Sequence, residues 1–308
     1  MTWARLAFKL QPSSLGFAAF VCLALAGAAL WLAADMRSVL EACGTPDEPK
    51  ACQVVFAFQD THGQAVMLTQ MGIGLAMYGI PLVLGVPILT REIEHKTAMI
   101  AWPLAGSRLK WLAWRLVPLL VVAVALVAVM GFAADQLTQA YFPHDDIGFY
   151  LHGSRGISLV TRAALMLMAA VLVGSLIGRL LPALLVGIVA AVGISSATDV
   201  LQRSWVEPTE LTQAESPASG GFPLITGLEF RAPDGSLMND VEVQRLYETV
   251  YAEHGESADP ALLPREVYYG VAVSRYSDVL VRESAAIGVA TLLVGALAVV
   301  VVRRRRPE

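Results

Sequence analysis

Six long apolar runs limit the fold of this chain more than anything else in it. They are Leu15–Ala34, Val66–Leu89, Leu116–Ala134, Ile157–Ile177, Leu180–Thr198 and Ser284–Val302, and Arg162 is the one charge within them. A helix of about 20 apolar residues crosses a hydrocarbon core about 30 Å thick. In lipid the backbone polar groups must be satisfied within the segment, which a helix does by itself. The composition agrees: 56% of the 308 residues are hydrophobic, 16% are charged and the mean hydropathy is +0.59. A soluble chain carries about 25% charged residues. The expected class is therefore an all-α membrane protein with six transmembrane helices.

The runs differ in detail. Leu15–Ala34 starts like a signal peptide, with Ala26-Gly27-Ala28 resembling a cleavage site. It is longer than the 7–15 apolar residues usual there, so it reads as an uncleaved first span. Pro81 and Pro87 interrupt the second run, which neighbouring helices make tolerable. Arg162 lies near one end of the fourth run, where its long side chain can snorkel toward water. Only Gly178 and Arg179 separate the fourth run from the fifth, predicting a tight helical hairpin. Gly174 and Gly178 have the G-x-x-x-G spacing that lets helix backbones approach.

Between the runs lie polar segments. Met1–Ser14, with Arg5 and Lys9, reads as a weakly amphipathic lead along the membrane surface. Cys43 and Cys52 share one loop and are disulfide candidates if it faces an oxidising compartment, with two free thiols as the alternative. Residues 199–283 form the largest polar region. Phe222–Phe230 reads as a strand, Asp234-Gly235 as a turn, and Asn239 with Glu242 as the capping box of a helix running to about His254. That makes 199–283 a small α+β domain between the fifth and sixth spans. The flanking parts are 1–198, with the lead and spans one to five, and 284–308, with span six and its basic tail.

Orientation follows from the basic residues. The lead, residues 91–115, Arg179 and Arg303–Arg306 fall on one side and carry twelve of the 22 Lys and Arg. That side, with both termini, is expected to be cytoplasmic, and the 199–283 domain extracytoplasmic. Arginine dominates, with only four lysines, as in a GC-rich bacterial genome; the expected location is a bacterial cytoplasmic membrane.

Arg91–Arg115 is the short charged stretch between two long runs. On a helix over Arg91–Ala101, Ile93, Thr97, Ile100 and Ala101 share one face, and Arg91, Glu92, His95 and Met99 the other. Pro103 ends that helix, Ser107 caps the next one, and Trp102, Trp111 and Trp114 sit where interfacial anchors belong. By physics alone the stretch is equally well a solvated loop with ordinary cytoplasmic charge.

Gly85, Pro87, Arg91-Glu92-Ile93-Glu94, Thr97, Trp102, Pro103, Ser107-Arg108 and Trp111 resemble the signature after the second span of type-2 ABC transporter permeases. Ser274-Arg275-Tyr276 followed by Glu283 is similar to the segment before the last span in that family. Lys96 departs from the pattern, standing where family members often carry Gly. The resemblance implies the membrane subunit of an ABC exporter, made of two permease chains, identical or paralogous, and two copies of a separate ABC ATPase subunit. ATP and Mg would sit on that partner, with no cofactor on this chain. Arg91, Glu92, Glu94, His95, Lys96 and Thr97 would form the cytoplasmic coupling helix that docks on the ATPase. Thr69, Gln70, Tyr78, Ser195 and Ser196 are polar positions in the second and fifth spans that are candidates for a translocation path, with helix–helix hydrogen bonding as the plainer role.

Other chemistry finds no support. The chain has no G-x-x-x-x-G-K-[ST], so it carries no Walker loop for ATP. Glu92-Ile93-Glu94-His95 lacks the first His of a zinc-protease motif. Gly193-Ile194-Ser195-Ser196 has a serine, but no His lies within an apolar run to act as its base. His144 and His152 share a loop with Asp145 and Asp146, where exposed residues are a better account than a metal site. No metal site and no nucleic-acid partner are expected; membrane lipid is. The alternative function is a non-transporting membrane sensor or immunity protein with a ligand-binding outer domain.

Overall fold

The structure is a computed structural model that describes residues 12–42, 53–97, 99, 107–143, 145–212, 215–217, 221–255 and 259–305. The lead up to residue 11, Cys43, Cys52, Trp102, Pro103, His144 and Arg306 lie outside the described residues. The chain divides into two compact units. One comprises residues 1–143, 151–200 and 280–308; the other comprises 144–150 and 201–279.

The first unit is helical. In chain order its helices among the described residues are α1 (Pro12–Ala42), α2 (Gln53–Gly85), α3 (Pro87–Glu94), α4 (Arg108–Tyr141), α5 (Gly156–Ile177), α6 (Leu180–Ser204) and, after the second unit, α8 (Tyr276–Arg304). With α2 and α3 taken as one stretch, six helical stretches among the described residues are long and apolar enough to cross a membrane. Prolines shape two of them without breaking them: Pro81 lies inside α2 and Pro118 inside α4. Pro87 opens α3, where its missing N–H costs nothing.

Small side chains set the packing. Ala18, Cys22, Ala26, Ala29 and Ala33 form a buried stripe on α1, which packs along α4, and Leu119, Ala123, Val127, Met130 and Leu137 of α4 lie in the same buried cluster. Close approach of backbones substitutes here for the hydrophobic effect, which lipid does not supply. Helix α5 is central and packs against α2, α3 and α4. It meets the α2–α3 junction where two glycines face it: a side chain on Gly85 would strike Ala170 and Leu167, and one on Gly174 would strike the Val86 carbonyl. Gly178, the other member of the G-x-x-x-G pair, does a different job. At φ +70° it ends α5 and turns the chain into α6, so only Gly174 serves a helix crossing.

The second unit holds a four-stranded sheet and a helix. Strands β1 (Thr209–Glu210), β2 (Leu224–Arg231), β3 (Leu237–Met238) and β4 (Arg265–Val271) lie in the order β1-β4-β2-β3, each neighbouring pair antiparallel. Asp234-Gly235 turns β2 toward β3, with Gly235 at φ +86°. Helix α7 (Asp240–His254) starts in the full capping box: the Asn239 side chain accepts from its first turn, and Glu242 accepts the Asn239 N–H. A small core of Phe149, Val271 and Val279 closes one side, with Phe149 edge-on to Tyr276 at 5.3 Å.

Candidate functional site

At one end of the first unit the charged segment after α2 is held in place by its own acids. Helix α3 carries Arg91, Glu92, Ile93 and Glu94 and then stops. The His95 N–H closes on Arg91, and Lys96 sits at φ +59°, a left-handed conformation that ends a helix. The continuous helix expected over Arg91–Ala101 is therefore not formed: α3 ends at Glu94, and Ile100 and Ala101 lie outside the described residues. The same geometry gives a reason for Gly at the position of Lys96, since only Gly adopts this conformation without steric cost.

The two acids do not share one solvent face. Glu92 pairs with Arg115 on α4 at 2.6 Å, both side chains mostly buried, and the Arg115 guanidinium lies over the Trp111 ring at 4.5 Å. Trp111 is thus a buried platform for a cation rather than an interfacial anchor. Glu94 accepts the N–H of Leu180, the first residue of α6, at 3.1 Å. A carboxylate there meets the unpaired N–H groups and positive end of a helix. Arg91, His95, Lys96 and Thr97 keep their side chains exposed. Ser107 caps α4 by accepting the Lys110 N–H at 3.1 Å.

Residues 303–305 join this region. Arg108 donates to the carbonyls of Arg303 and Arg305, and Arg305 donates to those of Ser175 and Leu176. Each guanidinium thus satisfies terminal carbonyls, of α8 and α5 respectively, and sits at the favourable pole of a helix dipole.

A second polar constellation lies along α5 from there. Arg162 and Ser175 are 13 residues apart, about 20 Å of helix. Arg162 does not snorkel; it is buried. Its Nε and Nη2 donate to Glu283 Oε1 on α8 at 3.2 and 2.8 Å, and Nη1 reaches Asp199 Oδ1 on α6 at 3.3 Å. His152 Nε2 meets Glu283 Oε2 at 2.6 Å, with Ser158 Oγ 3.4 Å from the same nitrogen. Gly153 has no side chain because the guanidinium occupies that space. His152 is therefore a buried partner of Glu283 rather than an exposed loop residue. The imidazole meets Ser158 and Glu283 through one nitrogen, whereas a serine relay uses both, so this is not a nucleophile.

Sequence reasoning missed this group because α8 begins at Tyr276, eight residues before the expected Ser284. That places Glu283 inside a helix and opposite Arg162. One signal was available: a lone Arg in an apolar run requires an acid somewhere in the fold.

The candidate path residues are dispersed. Thr69 hydrogen-bonds to its own helix at Ala65, and Ser196 is exposed. The Tyr78 hydroxyl and the Gln70 amide nitrogen are buried without a hydrogen-bond partner among the described residues. Tyr78 packs against the Leu82, Met166 and Ala191 cluster, as does Ile194, the neighbour of Ser195. Among the described residues no three His, Cys, Asp or Glu side chains are placed to hold a metal ion.

Residues 17–203 match the family described as ABC-2 membrane transporter related. No curated protein and no solved structure matches the chain.

Proposed function

Because the chain belongs to the ABC-2 membrane transporter related family, we propose that it is the permease subunit of an ATP-driven exporter, coupled to a separate ABC ATPase. The family makes it a multi-pass membrane transporter subunit, and an ABC ATPase partner goes with that family in general. The finer reading concerns how the two meet. One observation carries it: Glu92 and Glu94 pin α3 to α4 and α6, while Arg91, His95, Lys96 and Thr97 are left exposed beside them. A segment anchored on one side and open on the other can pass a displacement from a soluble partner to the helices.

In this reading the exposed four residues touch the ATPase and the two acids carry the motion inward. Two ATPase copies, holding ATP and Mg, serve two permease chains. The basic end is cytoplasmic, with both termini there, and the sheet-bearing unit is extracytoplasmic, in a bacterial cytoplasmic membrane. Substrate passes near α2 and α6, where Gln70 and Tyr78 offer buried polar atoms.

The test is copurification from native membranes. A Walker-motif ATPase should come down with the chain, and its hydrolysis should fall several-fold with His95→Ala plus Thr97→Ala at unchanged complex yield. A chain that purifies alone, or an ATPase indifferent to those substitutions, overturns the reading. Labelling of Lys96→Cys in intact cells by an impermeant thiol reagent would overturn the orientation.

A further inference from the structure

Helices α6 and α8 are fastened to the rest of the first unit differently from the others. Of the most apolar stretch of each, 17% is buried, against 61% for α5. Beside a few buried apolar positions such as Ala183, Ala191, Ile287 and Ala298, each has polar tethers at both ends. At the basic end these are the Glu94 bond to Leu180 and the Arg108 and Arg305 contacts. At the other end a single side chain, Arg162, reaches both helices, through Asp199 on α6 and Glu283 on α8.

A buried ion pair is a poor choice if stability is all that is wanted. Desolvation offsets much of the attraction, and apolar residues of similar volume hold a core as well or better. Ionisable groups inside membrane helices are costly and mark function by default. What an ion pair offers instead is direction and the ability to exchange partners. Arg162 has such an exchange available. Glu283 is 1% exposed, whereas Asp199 is 57% exposed, so one corner of an otherwise sealed group is open.

We propose that Arg162, with Glu283, His152 and Asp199, is a releasable latch that positions the ends of α6 and α8 against α5 and opens during each transport cycle. The cycle itself rests on the ATP-driven reading above; the positioning does not. His152 and Gly153 bring the turn before α5 into the latch, so four segments are registered on one guanidinium. Arg is suited to this because its planar fork serves two acids at once.

Ile287, one turn beyond Glu283 on α8 and buried, reports on the latch. The experiment uses full-length chain with Cys22, Cys43 and Cys52 replaced by Ala and Ile287→Cys added. A charged, impermeant maleimide is applied to membranes at rest and during ATP turnover, with thermal melting measured in detergent. The parent should be protected at rest and label several-fold faster during turnover. Glu283→Gln should label at rest and melt several degrees lower. Arg162→Met with Glu283→Leu should melt within a few degrees of the parent, yet stay protected during turnover, because an apolar pair fastens without releasing.

A double variant that labels in turnover like the parent would make the pair ordinary packing and overturn the proposal. So would a parent that never labels while hydrolysing ATP. If the double variant does not fold, Glu283→Gln decides: protection at rest overturns the latch. If no ATPase associates, the transport reading fails, and the resting comparison still supports or overturns the positioning role.

Discussion

Replacing Gly174 by Ala tests the packing argument most directly. A Cβ at 174 would lie 2.8 Å from the Val86 carbonyl oxygen and 3.4 Å from the Val86 Cα and the Thr90 methyl. The closest obstacle is backbone, so no rotamer change relieves it; α3 and α5 must separate by about 0.6 Å locally. Overpacking of this kind costs about 1–3 kcal/mol. Gly85→Ala meets the same crossing from the other side, at 2.8 Å from the Ala170 Cβ and 3.0 Å from the Leu167 carbonyl, and should cost a similar amount. The two should not add, because one separation serves both. Gly193 is the control, because nothing lies within 4 Å of it. Its alanine variant should be neutral or slightly stabilising, since Ala is the better helix former by up to about 1 kcal/mol. The assay is thermal unfolding of purified chain in mild detergent, followed by tryptophan fluorescence. At about 2–4 °C per kcal/mol, Gly174→Ala should melt several degrees below Gly193→Ala. Equal melting of the two would refute the claim that close backbone approach joins α3 to α5.

Lys96→Gly removes a left-handed non-Gly residue and should stabilise by about 1 kcal/mol, seen as a small rise in melting temperature. Glu92→Gln leaves the Arg115 cation on Trp111 without its carboxylate; it should cost about 2–3 kcal/mol and alter tryptophan emission. Asn239→Ala breaks the capping box and should cost about 1 kcal/mol locally, read as faster amide exchange over 240–254 with no change over 156–177.

Much of the helical architecture was legible because it follows from local composition. Uncharged runs of membrane length must be helices, Gly178-Arg179 leaves no room for anything but a hairpin, and Ser107, Asn239 and Glu242 cap with their nearest neighbours. The segment after α2 was legible as a place and not as a shape. The helix projected past Glu94 is ended by the backbone angle at Lys96, which no spacing of apolar residues reveals.

What the residues determined by themselves is everything that depends on a chain's own neighbours: span number, caps, turns and the basic end. What only the tertiary structure decided is which distant groups meet. Arg162 and Glu283 are 121 residues apart, and Glu94 and Leu180 are 86 apart. Their pairing depends on where whole helices come to lie, and that is set by the summed fit of many small side chains such as Gly85 against Ala170. A single charge in an apolar run announces that a partner must exist, because leaving it bare in lipid is too costly. It carries no record of which acid, on which helix, will be carried to it by packing.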